Sequence, residues 1–259
     1  MKNLMKIEWM KLKSYPTFWI LIGLFVSLFL LANYGQYKSF VSLGSGPMNL
    51  VSSSYSFPQV WDNVGFTYSW FVIFLSVFVI ISVSNEFTFR TGRQHVIDGL
   101  ERLDYLHAKM ILILIISIMS TVFFALVSLL FGLIGGGGNP LPHAERILYV
   151  LIFTINYLSF AALLAFLMKR SGLAIILFLA YLIFEFFVMK FINWKFSTFV
   201  GTLLPLQSSD ELLPMPILNT LSNATGGIAT PIMYSVAMSF FYISSYYLIL
   251  RSKFLKSDM

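Results

Sequence analysis

The chemistry-bearing residues of this chain concentrate in one place. Residues 85–110, NEFTFRTGRQHVIDGLERLDYLHAKM, gather Glu86, Arg90, Arg93, His95, Asp98, Glu101, Arg102, Asp104, His107 and Lys109. Mixed charge with histidines suits three tasks: metal ligation, phosphate handling, or charge-assisted contact with another protein. Metal ligation fails on spacing. His95 and His107 do not stand at ligand intervals, and His143 lies far along the chain. ATP chemistry fails as well, because no Gly-x-x-x-x-Gly-Lys-Ser/Thr occurs, and the glycine run 135–138 is followed by Asn139-Pro140. Contact with a partner remains. Elsewhere Ser171-Gly172 and Gly44-Ser45-Gly46 lack a histidine within reach, so serine hydrolysis has no support. No His-Glu-x-x-His is present for an intramembrane zinc protease, and the methionines read as flexible fillers of apolar packing. No metal site is expected.

The elements that must hold this stretch are membrane spans. The chain is 58% hydrophobic and only 11% charged, against about 25% charged in ordinary soluble domains. That leaves too little polar surface to cover a globule in water. Cysteine is absent, which removes disulfides and thiolate sites and fits a bacterial cytoplasmic membrane. The net charge of +6 belongs to membrane topology, so no nucleic-acid partner is expected.

Apolar runs predict an all-α, polytopic fold with six spans, at about 17–33, 64–83, 110–134, 147–168, 172–191 and 232–250, in one transmembrane domain, 1–259. Residues 1–15, basic and half apolar, predict an interfacial helix against membrane lipids; a plain basic flank anchoring span one is the alternative. Gly135 to Pro140 must break a helix. The 193–231 segment is not simply polar, since FVGTLLPL and ELLPMPIL are apolar; short or re-entrant helices on the outer face would explain this.

Orientation follows from counting. With the N-terminus inside, 13 of the 17 basic residues fall inside, leaving Lys38, Arg146, Lys190 and Lys195 outside. Both termini and the 85–109 segment are therefore expected in the cytoplasm, and 193–231 outside. Within the cytoplasmic segment, Val96, Leu100, Leu103, His107 and Met110 recur at helical spacing, while Asp98, Glu101, Arg102 and Tyr105 take other faces. This predicts an amphipathic helix. A solvated loop whose charges keep it out of the bilayer is the plainer alternative.

In these features the chain resembles the permease subunits of type-2 ABC transporters. Those carry an acid at the exit of span two, a Gly-Thr-like turn, a Gly-x-x-Arg element and a lysine opening span three. Glu86 matches the acid, Thr91-Gly92 the turn in reversed order, Gly99 and Arg102 the Gly-x-x-Arg, and Lys109 the lysine. The basic N-terminal segment, six spans and long outer segment before span six extend the similarity along the whole chain. Bacterial peptide-antibiotic and lantibiotic export or self-protection permeases look most similar.

The resemblance implies that 85–109 is a coupling helix seated on a separate ABC ATPase subunit, present in two copies, which holds the ATP and Mg. It implies ATPase-coupling roles for Glu86, Arg90, Arg93, Asp98, Gly99, Arg102, Tyr105 and Lys109. It also implies a second permease chain, identical or paralogous, and export of a peptide, lipid or amphipathic compound. The chain itself would be no enzyme.

Glu185 stands apart. A carboxylate inside a span is costly, about 2.5–3.5 kcal/mol for the worst residues on insertion scales. It is a candidate for the substrate pathway or a contact between chains; the plainer reading has it snorkel to the outer end, toward Lys190. A secondary transporter or channel, the competing class, would carry more ionisable or broken-helix sites at mid-membrane. A scaffold of an envelope complex is a further alternative.

Overall fold

A computed structural model describes Met10, Lys13 and residues 15–38, 55–89, 102–196, 199–214 and 230–256. Six long helices account for most of it: α1 (Pro16–Tyr37), α2 (Val60–Thr88), α3 (Arg102–Ile134), α4 (Arg146–Met168), α5 (Ser171–Phe196) and, after two shorter turns, α7 (Ile232–Lys256). Between α5 and α7 lie a 3-10 turn (Val200–Leu203) and the four-residue α6 (Gln207–Asp210). All six long helices are apolar and long enough to cross a membrane, and no strand occurs among the described residues. We call the end where α1 begins and α7 finishes the base, and the opposite end the crown.

The helices begin and stop for local reasons. Pro16 opens α1, where its missing N–H costs nothing. Lys169 adopts a left-handed conformation, φ 55°, and returns its N–H to the Ala165 carbonyl at 2.9 Å. That closes α4 and lets α5 start two residues later, so the two pack side by side. At the crown, α3 ends on the glycine run. Gly136, Gly137 and Gly138 all take positive φ, and Gly137 accepts the Phe57 N–H at 3.1 Å. Gly135 is indispensable there, because a Cβ would lie 2.0 Å from the Tyr55 carbonyl oxygen.

Helices α2 and α4 form the middle of the bundle; α1, α5 and α7 keep most of their apolar surface outward, as lipid contact requires. Ala161, Ala162 and Ala165 are fully buried on α4 and let neighbouring backbones approach closely. Tyr68 of α2 is the central polar residue. Its hydroxyl meets Ser120 of α3 at 2.9 Å and Thr154 of α4 at 2.8 Å, with Phe25 and Phe29 of α1 edge-on to its ring.

The helices overrun the expected spans at their charged ends. Span two continues to Thr88, and span three is already helical at Arg102, ahead of 110, because RLDYLHAK contains no breaker and its buried lysine is paired. Residues 102–109 run without a break into the rest of α3, and the remainder of the expected amphipathic helix lies outside the described residues. The 1–15 helix, apart from Met10 and Lys13, lies outside the described residues, as do 90–101 and 215–229.

Candidate functional site

Two buried polar clusters, one at each end of the bundle, centre on Glu86 with Lys109 and on Glu185 with Asp210. At the base, the last turn of α2 carries Glu86, and α3 carries Tyr105 and Lys109 four residues apart, hence on one face. Lys109 Nζ lies 2.7 Å from Glu86 Oε1, and the Tyr105 hydroxyl donates to Glu86 Oε2. The pair is sealed from solvent, with side chains 2% and 7% exposed. Tyr105 packs against Phe166 of α4 and Phe254 of α7. Asn85 donates to the Tyr15 hydroxyl at 2.7 Å, ahead of α1, and His107 meets Tyr247 of α7 at 3.0 Å.

Sequence reasoning turned Glu86, Tyr105 and Lys109 toward a partner protein. Their side chains instead close on one another, since charges that leave water must pair. Arg90, Arg93, Asp98 and Gly99 lie outside the described residues. Arg102 opens α3, and its side chain lies outside them too.

At the crown, residues 199–214 turn into the bundle between α4, α5 and α7. The Leu203 carbonyl accepts from Tyr242 of α7 at 3.1 Å, and the Pro205 carbonyl from Asn156 of α4 at 2.8 Å. Ser208 meets Ser239 of α7 at 3.3 Å. Glu185 of α5 is here, 2% exposed. Its Oε1 accepts the Leu206 N–H at 2.9 Å, and its Oε2 has no hydrogen-bond partner among the described residues. It stands roughly three helical turns below the crown end of α5. It does not reach Lys190, whose ammonium lies over the Phe186 ring.

Sequence reasoning missed Asp210 and its partners. Asp210 accepts from the Tyr157 hydroxyl at 2.6 Å and from Gln207 Nε2 at 3.1 Å. Burial pushes its carboxyl up from 3.8 to about 7; the Tyr157 hydrogen bond opposes this and the Glu211 charge adds to it. Glu211 is raised by burial, against the pull of Lys190. A usable signal was present: QSSDE stands between the apolar runs LLPL and LLPMPIL, a small counterpart of the charged stretch at the base.

The crown is closed by a third cluster. Asp62 of α2 pairs with Arg146 of α4 at 2.5 Å and with His143 at 2.8 Å. Arg146 also donates to the Leu212 carbonyl at 3.2 Å, which fastens the end of the inserted segment. Beside it, an open groove of about 430 Å³ runs between α1 and α2, walled by Phe66, Trp70, Phe71 and Phe74 with Gln36 and Thr67 polar at one end.

No group of metal-ligating side chains occurs among the described residues. No curated protein matches the chain. The family model described as ABC-2 family transporter protein matches residues 4–185, from the N-terminal segment to Glu185 of α5. The six apolar helices and this match over most of the sequence lead to one assignment: the chain belongs to the ABC-2 transporter family, as a multi-pass membrane permease subunit whose family works with an ABC ATPase.

Proposed function

We propose that this permease is driven through its base. Residues 85–109 couple to two copies of a separate ATPase subunit, which hold the ATP and Mg. Arg90, Arg93, Asp98, Gly99 and Arg102 supply the contact. Glu86, Tyr105 and Lys109 hold the two ends of the segment at a fixed spacing. The carrying observation is the buried Glu86–Lys109 pair, which ties the exit of α2 to the start of α3 on either side of the charged stretch. A segment anchored so rigidly at both ends can pass a rigid-body shift into the helices instead of absorbing it.

The base faces the cytoplasm of a bacterium in this reading, supported by the 13-to-4 distribution of basic residues. Two permease chains, identical or paralogous, enclose the pathway between them. Cargo is an exported peptide, lipid or amphipathic compound. The groove between α1 and α2, aromatic with a polar end, supports that class.

The test is co-purification of the ATPase with charge-reversed variants. Arg102→Glu and Asp98→Lys should insert normally and lose most of the bound ATPase. Full retention in both variants overturns the coupling assignment.

A further inference from the structure

The inserted crown segment brings Asp210 into the same part of the bundle as Glu185 of α5 without bringing a cation. Neither Glu185 nor Asp210 has an ion pair among the described residues; the pairs found there are Glu86–Lys109, Asp62–His143 and Asp62–Arg146. Around the two acids, helix α4 contributes Tyr157, and α5 contributes Tyr181. Helix α7 contributes Tyr242, which donates to the Leu203 carbonyl, and Tyr246 stacked beside it. Lys190 acts on Glu211, and Arg146 is engaged by Asp62 and the Leu212 carbonyl.

Three polar atoms in this cluster are buried and have no partner among the described residues: Glu185 Oε2, the Tyr246 hydroxyl and Asn156 Oδ1. They come from three different helices around the same segment. An ionised carboxylate in such a place would be a buried charge with no cation beside it, which is costly. As a neutral acid, Glu185 still accepts the Leu206 N–H at Oε1 and gains a donor at the unsatisfied Oε2. Space for a larger ligand is not required.

We propose that Glu185 and Asp210 form a proton-binding site that latches the 199–214 segment into the bundle. With protons on the acids the segment is seated between α4, α5 and α7. When it swings out, both carboxyl groups hydrate and give their protons to bulk water; reseating takes protons back from that side. The crown is therefore a proton-linked gate. It opens more readily as the solution bathing it becomes alkaline. Glu185 is the last residue of the family match and Asp210 lies beyond it, so this device rests on the geometry of this chain and is independent of how the ATPase docks.

The sequence has no cysteine, so one introduced thiol reports alone. Leu213→Cys places it on the segment at a position 4% exposed, and Leu141→Cys gives a reference 76% exposed. Full-length chain in lipid nanodiscs is treated with a polar maleimide from pH 5 to pH 8, and the ratio of the two labelling rates removes the pH dependence of the reagent. The ratio should rise at least about five-fold across that range. In Glu185→Gln/Asp210→Asn, whose amides keep both shapes, it should change less than about two-fold. Tyr157→Phe, which removes a hydrogen bond favouring ionised Asp210, should move the midpoint to higher pH. A flat wild-type ratio overturns the proposal, as does an unchanged rise in the double variant. So does a ratio that, at fixed pH, follows Na⁺, K⁺ or tetraethylammonium.

Discussion

Lys109 of α3 and Glu86 of α2 meet at 2.7 Å in a space closed to solvent. Buried pairs of this kind cost desolvation when formed, yet breaking one from a single side leaves a charge stranded. Lys109→Met alone and Glu86→Leu alone should each destabilise the protein by about 3–5 kcal/mol. The double substitution should recover most of that loss. Thermal unfolding of all four proteins in one detergent reads the cycle. Additive losses would show that the two residues act separately.

The crown has its own dependence on pH. Asp210 is held near 7 in the native state against an ordinary value of 3.8, so the folded protein binds this proton more tightly than the unfolded chain. Its contribution to stability is fully present below pH 3.8 and is lost as pH rises through 7. Asp210→Asn should abolish that part of the loss. Unfolding midpoints of both proteins between pH 5 and 8 check it: the gap between them should widen as pH rises, with the variant the more stable at pH 8.

Glycines in this chain are not equivalent. Gly135→Ala drives a Cβ into the Tyr55 carbonyl and should cost about 1–3 kcal/mol by overpacking. Gly172 has open space around its Cβ position and sits within α5. Gly172→Ala should be neutral or stabilise by up to about 1 kcal/mol. A comparison of melting temperatures decides between them.

Arg146 bridges Asp62 and the Leu212 carbonyl. Arg146→Lys keeps the charge but loses the forked donors, and Arg146→Ala loses both; hydrogen bonds to charged groups contribute about 1.5–3 kcal/mol each. Amide exchange in residues 204–213 should quicken in the order wild type, lysine, alanine. Equal exchange in all three would separate Arg146 from the segment.

The number and approximate position of the spans were legible because nothing but a membrane tolerates six such apolar runs. The family was legible from Glu86, Gly99, Arg102 and Lys109 together with that architecture. What misled was the meaning of charge. Glu86 and Lys109, 23 residues apart, were assigned to ATPase coupling without their pairing, because sequence alone does not show that two opposite charges will be brought together across a helical hairpin. Asp210 was hidden differently: short helices on the outer face were expected in this segment, but nothing in QSSDE shows that its carboxyl will meet Tyr157 of α4. Glu185 stood out in the sequence as an acid inside a span; the Leu206 N–H that it accepts did not, since backbone partners leave no mark on a sequence.

Tyr68 gives the hairpin of α2 and α3 a consequence of its own. The two helices are riveted at two heights, Glu86 to Lys109 at the base and Tyr68 to Ser120 midway, and the segments flanking them meet at the crown through Phe57 and Gly137. A beam fixed at such points along its length does not flex; it tilts. Were a displacement applied at the base, as proposed above, a pair held in this way would carry it to the crown by tilting.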